Sequence, residues 1–217
     1  MKVIDLTHTI KQDMPVFPGT EKPSLETIYT CEKDGFKETK ISMFSHTGTH
    51  IDSPAHIFAD KKSLDSFEAQ SFVGKAIVID CRDISIGGSV TMERLKKYGD
   101  KLEKADFLLF NFGWDKKWGS DGYFSGYPCI DSEVLEYIIQ NNYKGIGFDV
   151  ISLDPVSDNK ITRHKELFSK KEIINIENLK NLDLCGDLPF MFCCLPLKFE
   201  NSDGAPARAI AILDIND

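Results

Sequence analysis

The segment running from Ser45 through His46, Gly48, His50, Asp52 and Pro54 to His56 gathers three of the chain's five histidines and a carboxylate within a dozen positions. Neutral imidazole and carboxylate are the usual nitrogen and oxygen ligands of zinc and similar divalent ions. His50 and Asp52 stand two positions apart, so in an extended chain both side chains point to one face. His46 lies four positions before His50 and shares that face if the chain stays extended. Gly48 and Pro54 shape the backbone so that these groups converge. The pattern predicts a metal centre on His46, His50 and Asp52, with a carboxylate that can also bridge a second ion. His56 is assigned proton transfer, because hydrolysis needs a group that titrates near neutrality. An isolated loop histidine is ordinarily a solvated or hydrogen-bonded side chain, and His8 is read that way.

Further ligands must come from elsewhere in the chain. His164 is the only histidine of the C-terminal half, and Glu177 ends the apolar run Ile173-Ile174-Asn175-Ile176, which places its carboxylate at a strand end. Other nucleophiles are poorly supported. There is no G-x-S-x-G turn, no cysteine beside a histidine in a protease pattern, and no G-x-G-x-x-G phosphate loop. The alternative of a purely structural metal is disfavoured, since such sites are closed by four protein ligands and often use clustered cysteines. The reading is therefore hydrolysis of a small amide by metal-activated water, with His56 as proton donor and acceptor.

Composition narrows the class. The chain has 217 residues, 41% hydrophobic and 28% charged, which suits one globular domain with a core of its own. A formal net charge of -8 and the absence of a Lys/Arg cluster argue against nucleic acid as a partner. No apolar run approaches a membrane span, and Lys2 and Asp5 interrupt the N-terminal apolar stretch, so no signal peptide is expected. The six cysteines lack C-x-x-C spacing and are read as reduced thiols of a cytoplasmic protein.

These groups need positioning elements. Strands are predicted at 3–7, 39–44, 75–80, 105–110, 144–149, 172–176, 190–197 and 206–213, from β-branched and aromatic content. Helices are predicted at 91–104, capped by Thr91, at 131–141, capped by Asp131 or Ser132, and at 164–169. Residues 45–56 read as a loop or irregular segment, and 113–128 as a structured loop. Strands outnumber helices and alternate with them, which fits an α/β domain with more than one sheet layer.

The block His46-Thr-Gly-Thr-His50-Ile-Asp52-Ser-Pro-Ala-His56 resembles the signature of the cyclase family, the group that contains bacterial kynurenine formamidase and isatin hydrolase. Ile4-Asp5-Leu6-Thr7, Phe17-Pro18-Gly19, the stretch from Gly147 through Asp149 and Asp154 to Pro155, the stretch from Ile176 to Leu182, Leu195-Pro196-Leu197 and the stretch from Gly204 to Arg208 resemble its other blocks, nearly end to end. The resemblance implies a layered β/β/α (swivelling-type) single domain over 1–217 and a homo-oligomer, dimer or tetramer. It implies one or two ions per subunit, zinc or manganese. Position by position, His46, His50 and Asp52 match the ligands of one ion; Asp52, His164 and Glu177 match those of a second; His56 matches the proton donor/acceptor. Phe17 matches a substrate-contacting position where the family's formamidases carry Trp. The implied substrate is an aryl formamide such as N-formylkynurenine, an intermediate of tryptophan catabolism, with ring-opening hydrolysis of isatin or a lactam as the alternative.

Overall fold

The computed structural model describes residues 1–213. In chain order its strands are β1 (Lys2–Asp5), β2 (Ser24–Tyr29), β3 (Glu38–Ser42), β4 (His50–Asp52), β5 (Val73–Asp80), β6 (Ser89–Val90), β7 (Phe107–Asn111), β8 (Cys129–Ile130), β9 (Gly145–Phe148), β10 (Ile174–Glu177), β11 (Phe190–Pro196) and β12 (Gly204–Leu213). The helices are α1 (Cys31–Asp34), α2 (Met92–Lys96), α3 (Asp100–Glu103), α4 (Ser132–Gln140) and α5 (Thr162–Lys170).

Eight strands form the main sheet in the order β1-β12-β11-β5-β7-β9-β10-β4, and β12 also pairs with β4, so the sheet closes on itself. The expected α/β class and layering hold, and the two β layers are opposite walls of this one closed sheet. β5, β7, β9 and β10 run parallel, while β4, β11 and β12 close the ring antiparallel. Alternation along the strands divides the core in two. Val78, Phe107, Leu109, Ile174, Ile176 and Phe192 fill the interior. Ile77, Ile79, Leu108, Phe110 and Phe148 face outward, beneath Val134, Leu135 and Ile138 of α4 and Leu167 and Phe168 of α5. Every second residue of β12 from Ala205 to Ala211 is a buried alanine, whose small side chains fit the crowded interior at the closing seam.

Asp131 caps α4 by accepting from the Val134 N–H at 2.8 Å, as the sequence predicts. The single helix expected at 91–104 is instead two short ones, because Gly99 sits at φ 49° and turns the chain between α2 and α3. The segment 45–56 is also more ordered than expected. It holds β4 and a 3-10 turn at Pro54–His56. β2 was not foreseen. It pairs only with β3, and the two form an arm whose residues are almost all exposed. No helix among the described residues is long and apolar enough to cross a membrane.

Candidate metal centre

The three-residue β4 is wedged between β10 and β12, and its register builds the centre. His50 lies opposite Glu177, and Asp52 opposite Asn175. On its other flank Asp52 lies opposite Gly204 and His50 opposite Pro206. Directly paired residues of antiparallel strands bring side chains together. With period-two alternation, Ile51, Ile174 and Ile176 enter the interior cluster and His50, Asp52, Asn175 and Glu177 share the other face. His46 does not reach that face along an extended chain. Gly48, at φ 68°, turns the backbone and folds His46 back over Asp52. Gly204 leaves room for it, since a Cβ there would lie 2.4 Å from the His46 ring.

The sequence-predicted residues come together. His46 Nδ1 lies 2.7 Å, and His50 Nε2 3.1 Å, from Asp52 Oδ1. His164 Nε2 lies 3.4 Å from Asp52 Oδ2 and 3.3 Å from Glu177 Oε1. His50 Nε2 is 3.6 Å from Glu177 Oε2. His46, His50 and Asp52 form one group with ligand atoms mutually within 4.8 Å, and Asp52, His164 and Glu177 form a second, with Asp52 common to both. His164 arrives on the first turn of α5, whose N-terminal N–H groups, those of Arg163 and His164, donate to the Asp154 carboxylate at 2.7 and 3.1 Å. Phe17 lies farther out, on the wall of a cavity of about 550 Å³ that also includes Phe44, Ile151, Ile161 and His56.

Sequence reasoning missed three supporting residues. Asn175 donates from its amide to Asp52 Oδ2 at 2.8 Å and to Glu177 Oε1 at 2.9 Å; the signal was an amide inside an apolar strand. Asp154 holds His164 Nδ1 at 2.7 Å; it stood inside a family-like block without a role. Asp203 meets His46 Nε2 at 2.9 Å and completes a third group with His46 and His56. Nothing local marked it, because its role depends on the β4–β12 register.

The electrostatics suit a cation. Burial opposes ionisation of Asp52, yet the surrounding His50, His164 and His46 hold its carboxyl well below the usual range. Burial likewise opposes protonation of His46, but Asp203 and Asp52 outweigh it and raise His46 to about 10. Against the same burial, Asp154, Asp52 and Glu177 raise His164. Without an ion, the positive charge facing these carboxylates thus sits as protons on His46 and His164. The donor set is all nitrogen and oxygen, with no thiol, which matches zinc or manganese in ligand type. His56 departs from the expectation that it titrates near neutrality. Burial and the neighbouring His46 and His164 push it down to about 4, against the pull of Asp52 and Asp203, so its imidazole is neutral at pH 7.

A closed mixed sheet with a buried histidine–carboxylate cluster lining an apolar-walled cavity defines an α/β protein whose groups could hold a metal ion. Residues 4–155 match the family model Cyclase, and the chain belongs to that family. It is 30% identical over 210 residues, 96% of each chain, to "Kynurenine formamidase" of Bacillus anthracis. Among solved structures it is similar to isatin hydrolase A from Labrenzia aggregata, bound to benzyl benzoate, with a TM-score of 0.87 and 28% identity over 97% of this chain and 93% of that one. A potential metal-dependent hydrolase with cyclase activity superposes with a TM-score of 0.79 at 25% identity, covering 97% of this chain and 96% of the other.

Proposed function

We propose that the protein is a metal-dependent hydrolase that cleaves a small aryl amide, with N-formylkynurenine as the leading substrate. The observation that carries this reading is the convergence of three imidazoles with Asp52 and Glu177 beside a cavity walled by Phe17, Phe44, Ile151 and Ile161. His46, His50 and Asp52 would hold one ion, and Asp52, His164 and Glu177 a second where two are bound; zinc is the metal proposed, with manganese as the substitute. Such an ion supplies Lewis acidity and lowers the pKa of a water from 15.7 to about 7. The neutral His56, with a side chain 33% exposed, faces the same space and exchanges a proton with the attacking and leaving groups. The aromatic wall holds a flat ring against the centre and excludes water.

The kinship with kynurenine formamidases supports a formamide substrate, and that with isatin hydrolases supports ring opening of isatin or a similar lactam as the second reading. Steady-state assays of the zinc-loaded protein on N-formylkynurenine and isatin separate them. The proposal expects kcat/KM higher for the formamide; the reverse order favours the second reading, and turnover of neither overturns both. A non-catalytic, structural metal would then be the remaining account. We further propose a cytoplasmic homo-oligomer, a dimer or tetramer. Ile28, Tyr29, Phe36 and Ile41 of the β2–β3 arm are 41–56% exposed, and a two-stranded arm is marginal unless something packs on it.

A further inference from the structure

Each imidazole of the centre turns one ring nitrogen toward the carboxylates of Asp52 or Glu177 and has the other held by an acceptor. His50 Nδ1 meets the Gly48 carbonyl at 2.8 Å. His164 Nδ1 meets Asp154 Oδ2 at 2.7 Å. His46 Nε2 meets Asp203 Oδ2 at 2.9 Å. An acceptor on the far nitrogen fixes the tautomer and the ring plane of a metal-binding histidine. Asp203 differs from the other two acceptors because it also faces the proton-transfer group. His56 Nδ1 lies 3.9 Å from the same Oδ2, and the His46 and His56 ring centroids are 4.0 Å apart.

The position of Asp203 is built, not incidental. Its carbonyl accepts from the Ser53 N–H at 2.9 Å and the Ser53 hydroxyl at 2.8 Å, which ties it to the end of β4. The Ser45 hydroxyl donates to Oδ2 at 3.3 Å. The following residue, Gly204, lacks the Cβ that would displace the His46 ring. One carboxylate therefore lies between the metal-facing and the proton-transferring halves of the site.

We propose that Asp203 is a positioning residue that orients both His46 toward the metal and His56 toward the substrate. The inference rests on the metal reading of the cluster, and its test separates the two. Zn²⁺ and Mn²⁺ affinities of the parent, Asp203→Asn and Asp203→Glu are measured by competition with a chromophoric chelator, and kcat and KM are then measured at saturating Zn²⁺. Asp203→Asn keeps the side chain's size, and a thermal melt establishes that it folds.

The expected result for Asp203→Asn is metal affinity about 10–100-fold weaker, the effect of removing such a partner. At saturating metal, kcat falls about 10-fold or more while KM stays within about 2-fold, because His56 is misaligned even when the ion is in place. Asp203→Glu, which retains the charge, recovers part of both. Parent-like metal affinity in Asp203→Asn overturns the proposal, as does parent-like kcat at saturating metal. If Asp203→Asn does not fold, the same two readouts in Asp203→Glu decide: a parent-like value in either overturns it, and a loss in both upholds it. A parent chain that binds neither ion contradicts the metal reading itself.

Discussion

At the residue scale, Asp52 is the hub, in contact with His46, His50, His164 and Asn175. The cluster around it was legible because ligand types recur at short spacing within one segment. Asp203 was not, since its partners His46 and Ser45 lie more than 150 residues away, and Asn175 was not, since its link to Asp52 spans 123 residues. His56→Ala should retain metal but lose about 10²–10⁴-fold in kcat, as expected for removal of an acid/base group; full turnover with metal bound would remove His56 from the chemistry. In the metal-free protein His46 is raised from 6.5 to about 10, so its contribution to stability is fully present below 6.5 and is lost as pH rises through about 10. Thermal melts in chelator should show the midpoint falling between pH 7 and pH 10. The zinc-loaded protein should show less of this slope, because the ion replaces the protons. Equal slopes would mean that the ion does not occupy this cluster.

At the element scale, the strand core was legible from β-branched runs, and β5, β7, β9, β10, β11 and β12 lie close to their predicted positions. β4 was not, because three residues are too few to show a period; it is a strand only because β10 and β12 supply both of its edges. The break between α2 and α3 shows that one left-handed glycine overrides a helical apolar pattern. Ile161, immediately before α5, adopts φ 46° and ψ 54°, a conformation costly for a β-branched residue, and it lines the cavity. Ile161→Asn should relieve about 1 kcal/mol of strain and raise the melting midpoint by about 2–4 °C, while raising KM for aryl substrates through loss of the apolar wall. A lowered midpoint with unchanged KM would contradict both roles. Phe17→Trp, at the rim of the same cavity, should raise kcat/KM for the formamide relative to isatin; an unchanged ratio would exclude this position from substrate choice.

At the scale of the whole molecule, composition and strand–helix alternation identified the α/β class, but closure of the sheet was beyond reach. It depends on β12 pairing with both β11 and β4, a long-range register that no local pattern encodes. Closure matters for the site because it fixes the segment 45–56 from both sides. The exposed β2–β3 arm belongs to this scale too. Light scattering after size-exclusion chromatography should give at least twice the mass of one chain, and replacing Ile28 and Ile41 by Ser should shift it toward the monomer; a monomeric parent would refute the oligomer. Coupling metal content to turnover in one titration asks whether the metal centre is what makes hydrolysis possible. The protein is stripped with chelator, and N-formylkynurenine and isatin hydrolysis are followed as Zn²⁺ or Mn²⁺ is added back. Activity should disappear on stripping and return in proportion to ion bound, saturating at one or two per chain; hydrolysis that persists at full strength in the metal-free protein would rule out a metal-dependent reaction.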